Sequence, residues 1–141
     1  MRLIFAVLPL LALAGCSSYQ ADPDKVTQVP SDRVLAYQQP AQNTGQIVVN
    51  RDLGMLGGGC YVAVLVDRQV AARIAIGEAV SLHVPPGNRV LGIGIDKQDD
   101  TLCGMGRLRR EVAVRVTEGE SQQFRIVSQN KGGFDIKPVT P

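Results

Sequence analysis

Alternation of apolar and polar residues constrains the fold of this chain more than any other feature of its sequence. In residues 79–84, Val80, Leu82 and Val84 alternate with Ser81 and His83. A period of two is typical of a β-strand with one buried face, because successive side chains point to opposite sides of the sheet. No long helical period follows residue 44, so the pattern predicts an all-β domain.

Short runs of this kind fill residues 45–141, and turn residues separate them. Residues 85–88 (Pro-Pro-Gly-Asn) and 118–120 (Glu-Gly-Glu) are strong turn signals. About seven short strands at such close spacing favour an antiparallel β-sandwich or a partly open barrel, and we predict the sandwich. The alternation does not fix the order of the strands.

Two turns in residues 61–95 connect three predicted strands. Asp67-Arg68 follows the first strand, and the Pro-Pro-Gly-Asn turn precedes the last one. This strand, Asp-centred turn, strand, Pro-Gly turn, strand unit resembles the PEGA-type envelope domains. Arg68 departs from their pattern, which has glycine after the turn aspartate. The resemblance implies an immunoglobulin-like or PEGA-like sandwich that acts as an envelope binding module, and it brings no catalytic residue.

Residues 1–16 have the layout of a secretory signal. Arg2 is followed by an apolar run over residues 3–14, and the small residue Gly15 precedes Cys16. The run is shorter than the roughly 20 apolar residues of a transmembrane helix. Leu-Ala-Gly-Cys at residues 13–16 resembles the lipobox of bacterial lipoproteins, in which the chain is cut before a cysteine that carries a diacylglycerol. The resemblance implies a signal peptide over residues 1–15 and a lipid anchor at Cys16.

Residues 16–44 are predicted to connect this anchor to the sandwich. Polar residues 17–24 predict a flexible spacer. Ser31 stands where it caps a short helix over residues 31–37, which Pro40 ends, although an extended segment lying on the domain also fits. Because Ser17 follows Cys16 where aspartate would favour the inner membrane, the sorting rule of enteric bacteria favours the periplasmic face of the outer membrane.

Cysteine content gives a second covalent prediction. Once Cys16 is acylated, Cys60 and Cys103 remain, and thiols tend to pair in an oxidising compartment. A Cys60–Cys103 disulfide closes a loop of about 44 residues, which contributes about 4 kcal/mol in the chain-entropy model. Two buried thiols or a metal pair are the alternatives. His83 is the only histidine, which is too few ligands for a typical zinc site.

Charge and aromatic content exclude some classes of partner. The formal net charge is +2, and the chain has no Trp, three Phe and three Tyr. Such a chain offers neither a basic surplus for nucleic acid nor many rings for stacking bases. Phosphate-binding and calcium-binding loops are also missing from the sequence, as is any paired catalytic constellation. We therefore predict no nucleic-acid partner, no cofactor, no metal and no enzymatic activity.

Three apolar residues are candidates for a binding surface. Met55 and Leu56 lie in one glycine-containing loop and Met105 lies in another, each close to a cysteine of the predicted disulfide. If that bridge forms, the two loops meet at one end of the sandwich. Loops on a rigid scaffold often carry binding residues, but the same loops would also simply cover the sandwich end.

A second candidate surface is basic. Arg107, Arg109 and Arg115 lie on the polar side of a later predicted strand. A solvated face is one interpretation. The other is an acidic partner such as a lipid or lipopolysaccharide phosphate, because guanidinium groups bind phosphates in a fork geometry.

The predicted anchor and fold together favour one role for the protein. We expect a lipid-anchored envelope protein with a structural or protein-interaction role, whose partners are the membrane and an envelope protein. The alternative is a ligand-binding or inhibitor module that acts on cell-wall material or on a cell-wall enzyme. The sequence identifies no small-molecule ligand, and fold alone does not specify function.

Overall fold

A computed structural model describes residues 18–54, 59–99, 104, 107–129 and 133–140. These residues form two facing sheets around one hydrophobic core, so the predicted all-β sandwich is confirmed at that level. The described part of the chain has nine strands where the sequence predicts about seven. They are β1 Thr27–Gln28, β2 Gly45–Arg51, β3 Val62–Val66, β4 Gln69–Ile74, β5 Glu78–Val84, β6 Gly87–Ile95, β7 Arg109–Val116, β8 Ser121–Gln129 and β9 Gly133–Pro138.

One sheet has five strands in the order β1-β5-β2-β8-β9, and the other has four in the order β4-β3-β6-β7. The wholly antiparallel arrangement is wrong for two pairs, because β1 runs parallel to β5 and β2 runs parallel to β8. The turn before β8 explains the second pair. There the backbone N–H of Gly119 donates to the carbonyl oxygen of Thr44 at 3.1 Å, so β8 starts beside the start of β2 and runs in the same direction.

The core lies between the sheets, where the alternation predicts it. Ile47 and Val49 of β2 are fully buried, and Leu82 lies opposite Ile47 in β5 with no exposed surface. Ser81 and His83 point to the other face of β5 and are partly exposed. The largest fully buried apolar side chains are Ile47, Ile74, Leu82, Leu91, Ile93 and Ile126.

Part of the segment before residue 45 packs on the sandwich, although its polar composition is typical of a flexible spacer. Strand β1 pairs with β5, and Val29 belongs to the core with only 7% of its surface exposed. The predicted short helix is reduced to a single 3-10 turn, Ser31–Arg33, and the Ser31 side chain does not cap it. Instead, Val34 bridges to Ala72 at the edge of β4, which matches the extended alternative.

The turn between β3 and β4 has a left-handed backbone conformation, which is unfavourable for residues other than glycine. Asp67 and Arg68 both have positive φ, at 49° and 67°. Two consecutive left-handed residues form the type I′ turn, which matches the twist of a hairpin and usually carries glycine. The Asp67 carboxylate supports the turn by accepting the N–H of Val90 at 2.9 Å, so Arg68 is held at the outer surface of the four-stranded sheet.

Candidate functional site

A groove of about 580 Å³ runs over the outer face of the four-stranded sheet. Its depth comes from two glycines of β6. Gly92 lies between Leu65 of β3 and Glu111 of β7, and Gly94 lies between β3 and Arg109 of β7 in the same way. Neither glycine has a side chain to fill the space between its neighbours. The floor is formed by Leu65, Val70, Val90, Gly92, Gly94 and Leu108.

The rim of the groove is strongly basic. Among the residues that the structure describes, its charged lining consists of four cations, Arg68, Lys97, Arg107 and Arg109, and one carboxylate, Glu111. Glu111 accepts a hydrogen bond from Arg68 at 3.3 Å and from Arg109 at 3.1 Å. These two hydrogen bonds lower the pKa of Glu111, and the one from Arg68 has the larger effect. The carboxylate therefore stays ionised.

Lys97 and Arg107 complete the rim at one end of the groove. Within the described residues, neither side chain makes a salt bridge, whereas Arg68 and Arg109 share Glu111. Both are exposed. Cationic groups without a carboxylate partner beside an apolar floor are suited to an anionic group on a molecule that also has an apolar part. The groove can therefore bind such a molecule, and the lining residues that the structure describes include no nucleophile and no paired acid and base.

A second polar cluster joins the 3-10 turn at Ser31–Arg33 to the sandwich. Arg33 donates to both oxygens of Glu78, at 2.7 and 2.6 Å. The guanidinium of Arg33 and that of Arg73 lie 4.5 and 5.0 Å from the ring centroid of Tyr61. Arg73 in turn pairs with the buried Asp96 at 2.7 Å. Because every charge in this cluster is paired, we interpret it as structural.

The Glu78–Arg33 pair makes a prediction about acid stability. Burial raises the pKa of Glu78, but hydrogen bonds from Arg33 and from the N–H of Ala75 outweigh it, so the net pKa lies below the ordinary value of 4.5. A carboxylate with a depressed folded pKa stabilises the fold above its unfolded pKa and loses that contribution as the pH falls through the folded value. The stability that Glu78 contributes should therefore decline below about pH 4.5.

Urea unfolding of wild type and Glu78→Gln at pH 7 and at about pH 3 measures this contribution. The variant should be the less stable protein at pH 7, because Arg33 loses its carboxylate, and the difference should shrink at the lower pH. Asp22→Ala is the control, since that carboxylate is 75% exposed beside Lys25. The prediction would be contradicted if the free energies of unfolding of wild type and Glu78→Gln differed by the same amount at both pH values.

Arg51 is a buried cation at the end of β2. Only 4% of its surface is exposed, and it donates to the carbonyl oxygens of Cys60 and Ile74 at 2.6 and 2.8 Å. Burial lowers its pKa to about 10, so it remains charged at neutral pH. These hydrogen bonds tie the end of β2 to the start of β3 and the end of β4, which places those three strand ends at the same end of the sandwich.

The structure brings together two of the three arginines of the predicted basic face. Arg107 and Arg109 both line the groove. Arg115 does not: it lies near the other end of β7, where it donates to Asn88 at 3.4 Å. Six residues of extended strand separate Arg115 from Arg109 by about 20 Å, so Arg115 lies outside the groove, and a basic face that includes all three arginines stays a prediction.

Several predicted site residues lie outside the described part of the chain. These are Cys16, the predicted site of lipidation, the loop residues Met55, Leu56 and Met105, and Cys103. Cys60 is described, and its sulfur is in a disulfide. Because Cys103 is not described, its pairing with Cys60 stays a prediction.

Sequence reasoning missed Arg68, Lys97 and the function of the two glycines as the groove floor. A signal for the groove was present, since Gly92 and Gly94 alternate with the inward-facing Leu91 and Ile93. Nothing in the sequence shows that β3 pairs with β6 across the intervening β4 and β5, which places Leu65 beside Gly92. The groove depends on strand order, and strand order is what the alternation leaves open.

Comparison with family models, with curated proteins and with solved structures finds no match to this chain. Among the described residues, no group of three or more His, Cys, Asp or Glu side chains is close enough together to hold a metal ion. No helix in that part of the chain is long and apolar enough to cross a membrane. The groove is accordingly the feature from which we argue function.

Proposed function

We propose that the protein is a lipid-anchored envelope protein that binds a partner protein through the groove, without catalysis. The anchor is Cys16, and the location is the membrane surface facing the periplasm, on the outer membrane. The observation that carries the binding role is an apolar floor that is bordered, within the described part of the chain, by four cations and one carboxylate. This composition fits an acidic segment of an envelope protein that places an apolar side chain over Gly92 and Gly94.

The exposure of the floor favours a protein segment over a lipid. Val70 keeps 37% of its surface exposed, and Leu65 is also partly exposed. An acyl chain lying there would keep much of its own apolar surface in water, which opposes its transfer from a bilayer. A protein segment covers the groove and shields its own apolar side chain with the rest of its domain.

The identity of the sandwich as a PEGA-type domain is part of this proposal. Its support is the pair of turns in this region, the Asp67-Arg68 hairpin turn after β3 and the Pro85-Pro86 connection before β6, although two strands, β4 and β5, lie between them where the resemblance has one. An envelope binding role agrees with that resemblance. The same lipid-anchored setting would also hold a module acting on cell-wall material, so the experiment includes peptidoglycan as a separate ligand.

Binding of a defined acidic peptide tests the groove. The probe is a fluorescein-labelled peptide of alternating Glu and Leu, added to the purified protein at low salt. We expect it to bind, and we expect the double substitution Lys97→Glu with Arg107→Glu to weaken binding about tenfold or more, equivalent to about 1.4 kcal/mol. The affinity for the peptide should also fall with added salt, because the rim charges are exposed.

Two further variants separate shape from charge. Gly94→Leu should fill the groove and weaken binding, and a Cβ at this position meets its nearest atoms, on Leu65 and Leu108, at the ordinary distances of 3.4 and 3.6 Å. Arg115→Glu is the matched control, since it reverses an exposed charge on β7 outside the groove. Equal binding by wild type and Gly94→Leu, or tighter binding of peptidoglycan or anionic phospholipid vesicles through Lys97 and Arg107, would overturn the protein-partner proposal.

A further inference from the structure

We propose that one end of the sandwich rests on the bilayer surface, and that the docked segment at Ser18 and Tyr19 holds it there. This end, which we name the anchor end, consists of Ser18, Tyr19, Asp52 and Ser128 together with the strand ends beside them. The inference rests on the proposed lipidation of Cys16. It replaces the predicted flexible spacer with an attachment that fixes the orientation of the domain.

Ser18 is held by two hydrogen bonds to separate strand ends. Its hydroxyl donates to the Asp52 carboxylate at 2.7 Å and accepts the backbone N–H of Ser128 at 2.9 Å. Asp52 directly follows β2, and Ser128 lies near the end of β8. A single side chain two residues after Cys16 therefore connects the amino-terminal segment to the ends of two neighbouring strands, β2 and β8, of the five-stranded sheet.

The acceptor for Ser18 is itself fixed. The side chain of Asp52 is 2% exposed, and Arg125 of β8 donates to both of its oxygens, at 3.0 and 2.6 Å. Paired and buried carboxylates of this kind have little freedom to move, since separating the ions would leave an uncompensated buried charge. The hydrogen bond from Ser18 is thus made to a rigid part of the sandwich.

Tyr19 adds backbone pairing to this attachment. Its N–H donates to the carbonyl oxygen of Leu53 at 3.1 Å, and the N–H of Leu53 donates back to Tyr19 at 2.8 Å. The ring lies against Gly54, where a Cβ would come within 2.8 Å of it. Even so, 61% of the Tyr19 surface is exposed. An exposed aromatic ring with a hydroxyl is suited to the lipid headgroup region.

The length of the intervening chain limits how far the anchor end can leave the bilayer. Only Ser17 lies between the acylated Cys16 and the docked Ser18. Two residues of fully extended chain span at most about 7 Å. That length is less than the Debye length of about 8 Å at physiological ionic strength. The anchor end therefore stays within electrostatic reach of the lipid headgroups.

The basic end of the groove lies at the same end of the sandwich. Lys97 follows the end of β6 and Arg107 precedes the start of β7. The end of β6 pairs with the start of β3 on one side and with the start of β7 on the other. Arg51 ties the start of β3 to the end of β2 through Cys60. The orientation we infer therefore sets the end of the groove that carries Lys97 and Arg107 beside the membrane surface, where a partner anchored in the same bilayer would present its juxtamembrane segment.

Tryptophan fluorescence tests the orientation, because the chain contains no tryptophan of its own. Tyr19→Trp places a single reporter at the anchor end. Glu118→Trp places one at the opposite end, in the turn before β8, about 20 Å away along β2. The acylated proteins, purified from bacterial membranes, are incorporated into phosphatidylethanolamine–phosphatidylglycerol vesicles that contain a lipid with a nitroxide on its headgroup. We expect the nitroxide to quench the residue-19 reporter at least about threefold more strongly.

A spacer variant shows whether the short tether causes the difference. Insertion of about twelve Gly and Ser residues between Ser17 and Ser18 lets the domain move away, and the quenching at residue 19 should then fall to the value at residue 118. Ser18→Ala, which leaves the Asp52–Arg125 pair intact, should narrow the difference without unfolding the domain. Equal quenching of the two reporters in the acylated protein would overturn the inference, whereas mass spectrometry showing no acyl group on Cys16 would overturn the proposed lipid anchor itself.

Discussion

Replacing Leu82 with alanine should lower the free energy of unfolding by about 2–5 kcal/mol. Leu82 has no exposed surface, and it lies in β5 opposite Ile47 of β2, with both side chains in the space between the sheets. The shorter side chain removes apolar contacts and leaves a cavity that two facing sheets cannot easily close. Urea titration of the two proteins measures the loss as a lower midpoint with an unchanged slope.

Val70→Ala is the matched control for this experiment. Val70 is also an aliphatic strand residue, but it lies on the outer face of the four-stranded sheet and keeps 37% of its surface exposed. A substitution of this kind usually changes stability by about 0.5 kcal/mol or less. If Leu82→Ala were as mild as Val70→Ala, the two sheets would not enclose the core described above.

The alternation predicts this core because burial of one sheet face is a local property of the sequence. Val80, Leu82 and Val84 share a face whatever strand pairs with them, so the period of two is sufficient to place them inside. Strand order and direction depend on distant turns. The parallel pairing of β2 and β8 follows from contacts between Thr44 and Gly119, and no local pattern records such a contact.

The contacts of the amino-terminal segment with the sandwich could not be predicted from the sequence for a related reason. Its polar composition is typical of a spacer, yet Ser18 docks on Asp52, which lies 34 residues further along the chain. Strand β1 is also only two residues long, which is too short for alternation to be visible. The composition of a segment indicates how well water solvates it. The docking of this segment depends instead on one hydrogen bond, from the Ser18 hydroxyl to the buried Asp52 carboxylate.

Half of the basic rim was predictable from the sequence. Arg107 and Arg109 are close in sequence and lie on the polar side of a predicted strand, so their shared surface needs no tertiary information. Arg68 reaches the same surface from a hairpin turn, where its positive φ is unusual for a residue other than glycine. Lys97 reaches it from the loop after β6. Their positions follow from the order β4-β3-β6-β7 alone.

Removal of the Asp96 carboxylate should lower the free energy of unfolding by about as much as a large cavity in the core does. Asp96 is 2% exposed, and it accepts hydrogen bonds from Nε and Nη2 of Arg73 at 3.0 and 2.7 Å and from the N–H of Gln98 at 3.1 Å. Asp96→Ala leaves Arg73 without its anion beside Tyr61, and breaking a buried ion pair in this way costs about 3–5 kcal/mol. Thermal and urea unfolding both report the loss.

The origin of that loss is tested by removing both charges. An Arg73→Met, Asp96→Leu double variant has no unpaired ion, so it should be more stable than Asp96→Ala, because apolar replacement of a whole buried pair is often nearly neutral. Asp22→Ala again serves as the exposed control and should change stability by no more than about 1 kcal/mol. A double variant no more stable than Asp96→Ala would show that lost packing at the end of β6, and not the stranded Arg73 cation, causes the destabilisation.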